Sequence, residues 1–166
     1  MQGRSFSRFF LLALAMPVST SLFAQSTVAP ATDSTIVVRY AHAAEADPLT
    51  ETAKQERKEA MTFAENDHNA HVLLCSQLFH QMTSSHAANA GEINLQYVVS
   101  SAAFLYEHPE AASDSLSQNI AGIDAALNVY EKFLAADSKS RSKSLDSLLK
   151  QRNDGKLKDV ISQTCK

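Results

Sequence analysis

Leu116, Ile120, Ile123, Leu127, Tyr130 and Leu134 alternate steps of four and three behind a Ser113-Asp114 cap. That regular apolar seam predicts a long helix facing other helices. The same spacing runs through Leu95, Val98, Val99, Ala102, Leu105 and Tyr106 and must stop at His108-Pro109, because proline disfavours helix in the residue before it. Upstream, Asp47 as cap and Pro48 at the first helical position predict a helix from about 48 to 65. Its apolar side is Leu49, Ala53, Ala60, Phe63 and Ala64, and Glu51, Lys54, Glu56, Arg57, Lys58 and Glu59 form a solvated surface. Towards the end of the chain, Leu145, Leu148 and Leu149 predict a short helix stopping near Gly155, with Lys150 and Arg152 near its C-terminal dipole. Leu157, Val160 and Ile161 predict a last helix that brings Cys165 to the core.

Between these elements, residues 67–86 read as an amphipathic helix that holds four of the six histidines, one of the two cysteines and Met82. On a helical wheel His68, His71, Cys75, Met82 and His86 share one stripe, a soft-ligand set that suits copper or zinc. Leu78 and Phe79 fall on the same side, so the stripe is also the face that must pack. An unbroken helix would hold His68 and His86 about 27 Å apart, too far to share an ion. A local metal site reduces to His68 and His71, with His42 a further ligand, or to Met82 with His86. The expectation is therefore no metal and no other cofactor, with His68 and His71 the weak candidates and a copper or zinc carrier the alternative function. No C-x-x-C-H haem attachment, Ser-nucleophile elbow, phosphate-cradling glycine loop, H-E-x-x-H or EF-hand spacing is present.

The first 24 residues change the compartment. Arg4 and Arg8 precede a short apolar run, Phe9 to Met16, and Leu22-Phe23-Ala24 is a cleavage site before Gln25, the form of a secretory signal. The apolar run falls short of the roughly 18 residues a membrane span needs. Export to an oxidising compartment makes a Cys75–Cys165 disulfide the expected state of the two cysteines. Such a bond closes a loop of about 90 residues, worth roughly 4 to 5 kcal/mol on a chain-entropy account. Residues 25–46 mix Ser, Thr, Ala and Pro with little periodicity and read as a flexible leader, in which Thr35 to Tyr40 is a β-prone extended arm. Without the signal the chain carries 13 basic and 18 acidic residues, with net −10 over 25–137 and net +5 over 138–166. An acidic protein in that compartment is a poor nucleic-acid binder, and its basic tail is expected to be drawn to its acidic body.

Residues Ala126 to Asp137 resemble the second helix of a tetratricopeptide repeat over about twelve residues. The family's small and aromatic first-helix positions do not line up in Leu95 to Tyr106, and a solenoid needs about three copies, so the chain reads as a bundle. The expected architecture is all-α: signal peptide 1–24, leader 25–46, and a helical domain 47–166 formed as a single bundle of five or six helices closed by Cys75–Cys165. The expected function is that of an exported helical protein that binds an envelope or secreted protein, as inhibitor, immunity factor or accessory subunit. No catalytic set, nucleic-acid partner or membrane span is expected, and the oligomeric state is left open. If the N-terminal reading is right, the intact mass of protein recovered from its own host corresponds to a chain beginning at Gln25; a chain retaining residues 1–24 would contradict it.

Overall fold

In the computed structural model, which describes residues 33–68, 71–83 and 87–166, everything packs on one antiparallel helix pair. Helix α4 (Ala90–Glu107) ends at His108, immediately before Pro109. A 3-10 turn at 109–111 reverses the chain into α5 (Ser115–Ala136), whose N-cap Asp114 accepts from the Ser117 amide at 3.0 Å. The two helices close on Gly122. A Cβ there would lie 2.1 Å from Ser101 Oγ, 2.6 Å from Tyr97 O and 2.8 Å from the Tyr97 ring. Of the α5 seam, Ile123, Leu127 and Tyr130 are fully buried, and Leu116, Ile120 and Leu134 pack partly buried on the same core.

Two apolar clusters flank this pair. The larger joins Cys75, Leu78 and Met82 to Ile93 and Tyr97 of α4, the α5 seam, and Leu145, Leu148, Leu157 and Ile161. It seats three short helices: α3 (Ser76–Thr83), α6 (Lys143–Asn153) and α7 (Leu157–Thr164). Gly155, at φ +72°, makes the left-handed step between the last two. The smaller cluster sets Val37, Ala41 and Ala60 against Val99, Ala102 and Ala103 of α4. It holds the hairpin of α1 (Asp33–Ala46) and α2 (Glu51–Asn66).

Among the described residues there are seven α-helices and no strand, so the all-α class and the disulfide stand, while the expected five or six helices are too few. The additional helix is α1. The β-prone run Thr35 to Tyr40 is helical and packed, so residues 33–46 belong to the folded unit and not to a flexible leader. Burying a side chain such as Val37 is worth about 1.5 to 3 kcal/mol, whereas β-propensity spans only about 1 kcal/mol; the contact with α4 decides. The second helix begins three residues later than Asp47-Pro48 suggests. Thr50 is its N-cap, its hydroxyl accepting from Ala53 N at 3.1 Å, and residues 47–49 form the turn of the hairpin. The proposed helix over 67–86 is helical only from Ser76 to Thr83. The signal segment 1–24, residues 25–32 and His86 lie outside the described residues.

The uneven charge has a structural counterpart. Arg152 of α6 bridges to Glu131 at 2.5 Å and Asp124 at 3.6 Å on α5, and donates to Asn128 Oδ1 at 2.7 Å. Asn128 in turn donates to Glu45 Oε1 at 2.8 Å, and Lys132 Nζ donates to the last carbonyls of α1, Glu45 O and Ala46 O, at 2.9 and 2.8 Å. One basic residue of the tail is thereby drawn onto the acidic body.

The closure on Gly122 gives a direct expectation. Gly122→Ala should lower the urea midpoint by the equivalent of about 1 to 3 kcal/mol. Gly91→Ala, in the first turn of α4 with nothing within 4 Å of the added methyl, should be neutral or gain about 0.5 to 1 kcal/mol. Equal effects at the two positions would contradict the close approach.

Candidate functional site

Residues 71–75 form a strap of non-helical chain that crosses the N-terminal turns of α5. Its main-chain groups need partners as much as any helix does, and two adjacent carboxamides of α5 supply them. Gln118 Oε1 accepts from Leu73 N at 2.9 Å, while its Nε2 donates to Ala111 O at 2.9 Å and Ala112 O at 3.2 Å. Asn119 Oδ1 accepts from Cys75 N at 2.8 Å, and its Nδ2 donates to Leu73 O at 2.7 Å and Ser115 O at 2.6 Å. The Tyr97 hydroxyl, from α4, donates to Asn119 Oδ1 and takes a second share of the Cys75 N–H at 3.1 Å. Side chains thus do for this strap what a neighbouring strand does in a sheet. Gln118, Asn119 and Tyr97 are all within 1 % of full burial, so these bonds are shielded from water.

The Cys75–Cys165 disulfide, with Cα atoms 5.4 Å apart and 90 residues between them in sequence, ties the strap to the end of α7. Cys75 is 6 % exposed, and Cys165 is partly buried against the larger cluster. Beside the bond runs an open groove of about 370 Å³ lined by Leu73, Cys75, Gln77, Ser115, Cys165 and Lys166. Leu73 is 40 % exposed, one of two large apolar side chains so exposed among the described residues, the other being Leu49. The main-chain N–H and C=O of Val72 and Leu74 take no part in the bonds that hold Leu73 and Cys75.

Burial pushes the Tyr97 hydroxyl up to about 12, with the Cys75 amide pulling it part of the way back, so it stays protonated at neutral pH. No carboxylate or imidazole reaches it in the network just described.

A second polar centre lies beneath the hairpin. Arg57 is 0 % exposed. Its guanidinium donates to Gln96 Oε1 and Glu92 Oε2 at 2.9 Å each, and to the carbonyls of Ala44 at 3.2 Å and Pro48 at 3.4 Å. Burial lowers its pKa from the ordinary arginine value and the Glu92 carboxylate opposes that shift. The residue fastens the α1–α2 turn to α4. Its placement on a solvated surface with Glu51, Lys54, Glu56, Lys58 and Glu59 is therefore corrected: alternation along the helix put it among charged neighbours in sequence, but it is on the inward side with Ala53 and Ala60.

Of the sequence-derived candidates, Cys75 and Cys165 meet as expected. His68 and His71 are exposed and lie outside α3, and His42 is engaged by Glu107 at 3.0 Å. Because the chain runs non-helically from 71 to 75, the five-ligand stripe does not form. Among the described residues no group of three or more His, Cys, Asp or Glu side chains is placed to hold a metal ion. Gln118 and Asn119 went unread as a site. Their signal is two adjacent carboxamides inside the apolar seam, between Leu116 and Ile120. No protein-family model matches the chain, and neither a curated protein nor a solved structure matches it.

The Tyr97 environment predicts an alkaline limit. A tyrosine titrates near 10 in an unfolded chain and at about 12 in this fold. Its contribution to stability is thus complete below about pH 10 and is lost as pH rises towards 12. The urea midpoint should fall across that window, and in Tyr97→Phe the fall should be shallower, starting from a lower midpoint because the Asn119 bond is gone. An identical pH slope in both proteins would refute the assignment.

Proposed function

We propose that the protein is exported and acts by binding another protein of the cell envelope or a secreted one, as an inhibitor, immunity factor or accessory subunit, rather than by catalysis. The observation that carries this reading is the strap. It is a short non-helical segment, fixed from behind by Gln118, Asn119 and the disulfide, that leaves Leu73 40 % exposed beside an open groove. A segment held this way is pre-organised, which reduces the ordering cost of association. An extended stretch of a partner adds to such a segment through main-chain bonds, with an apolar side chain as anchor. Export is supported by the basic-apolar-small pattern of residues 1–24 and is compatible with the disulfide. Among the described residues no helix is long and apolar enough to cross a membrane.

The test uses a photo-crosslinking residue in place of Leu73, with the same residue in place of Lys58 on the far side of α2 as control. Envelope and secreted fractions of the host should yield a discrete adduct from position 73 alone. The captured protein, once purified, should form a stoichiometric complex with the unmodified chain that Leu73→Asp weakens by at least tenfold. Absence of an adduct, equal capture from both positions, or a complex indifferent to Leu73→Asp would each count against the reading.

A further inference from the structure

We propose that the Cys75–Cys165 bond is a thiol-exchange site: a dithiol opens it from the groove while the helices stay folded, with Cys165 the sulfur attacked and Cys75 the leaving thiolate. Three independent features of the fold point to this chemistry.

The first is access. Exchange requires a thiolate to reach one sulfur of the bond. Both cysteines line the open groove, yet Cys165, at the end of α7 and one residue from Lys166, is the more exposed of the two. Cys75 is 6 % exposed. Lys166 lines the same groove, and a cationic residue beside the bond favours an anionic attacker.

The second is the leaving group. Cys75 occupies the N-cap position of α3, since its carbonyl accepts the first helical bond, from Phe79 N at 3.0 Å. The amides of Ser76, Gln77 and Leu78 are the first donors of that helix end; the Gln77 side chain is not among the donors, since the atom 3.8 Å from Cys75 Sγ is its Oε1, which accepts from Ser76 Oγ at 3.1 Å. A thiolate released at an N-cap is stabilised by those donors and by the helix dipole, and a thiol with a stabilised thiolate leaves faster.

The third is what remains when the bond is gone. Leu157 and Ile161 keep α7 in the larger cluster at 7 % and 0 % exposure. The strap keeps its bonds to Gln118, Asn119 and Tyr97, none of which involves sulfur. Opening the bond therefore releases the last residues of the chain from the strap, not the strap from the fold. The two walls of the groove are then no longer joined.

The reaction balances with a dithiol as the reductant. Its first thiolate forms a bond to Cys165 Sγ as the Cys75–Cys165 bond breaks, and Cys75 leaves as a thiolate that takes up a proton. The second thiol of the reagent displaces Cys165 from the mixed disulfide. Two cysteine thiols and one oxidised cyclic dithiol result, and the reagent supplies both electrons.

The experiment treats the full oxidised chain with dithiothreitol at neutral pH without denaturant, following thiol release and far-UV ellipticity together. Two thiols per chain should appear at a rate proportional to reagent concentration, with ellipticity unchanged. In a parallel reaction with glutathione, quenched early with acid, peptide mass mapping should find the adduct on Cys165. Thiol release that occurs only as ellipticity collapses, or that needs urea at unfolding concentrations, would overturn the proposal. A glutathione adduct found chiefly on Cys75 would overturn the assigned direction of attack. The wild-type chain suffices for both readouts, so neither rests on a variant that fails to fold.

Discussion

The fold depends on how closely α4 and α5 approach at Gly122. With no side chain at that position, Tyr97 and Ser101 of α4 lie directly against the α5 backbone. The pair then presents two opposite faces, one for each apolar cluster. It also brings the Tyr97 hydroxyl to Asn119, one turn before Gly122. The polar centre that fixes the strap is thus a by-product of a steric requirement elsewhere on the same helices. A wider helix spacing would leave the buried Tyr97 hydroxyl without its acceptor, and an unsatisfied buried polar group costs about 1 to 3 kcal/mol.

The parts of this arrangement that the sequence displays are those governed by local rules. Proline at 109, the Asp114 cap, Gly155 and the leucine spacing of residues 145–149 each act within a few residues, and α4 to α7 begin and end about where those signals put them. The cysteine count and the basic-apolar-small pattern of residues 1–24 were enough to pair Cys75 with Cys165. What stayed hidden is governed by distant partners. Residues Thr35 to Tyr40 of α1 favour strand on their own and become helical because Val37 and Ala41 pack against Val99, Ala102 and Ala103. Arg57 looks like any other charge on a charged helix until its guanidinium is seen to meet Gln96 and two carbonyls. The strap looks helical because its apolar spacing continues into α3. Only Gln118 and Asn119, more than forty residues away, make a non-helical path affordable for its backbone.

Polar chemistry in this protein is spent on joining elements. The buried amides hold the strap, the buried arginine holds the hairpin, and the half-buried Arg152 of α6 reaches across to α5. Tyr130 does the same for the chain between α5 and α6, donating to Asp146 Oδ1 at 2.6 Å and accepting from Ser142 N at 3.1 Å. The groove beside the disulfide differs in that one of its walls is an apolar side chain, Leu73, left facing solvent.

The disulfide also divides the molecule mechanically. The 90-residue separation between its cysteines encloses α3 to α7 and the whole larger cluster, while α1 and α2 stand outside the covalent ring. A pulling force applied to the two ends of the oxidised chain is carried by the hairpin and then directly across the sulfurs. Roughly 300 Å of contour never feels the load. Tension on the N-terminal side peels α1 and α2 away from Val99, Ala102 and Ala103 and then meets a closed ring.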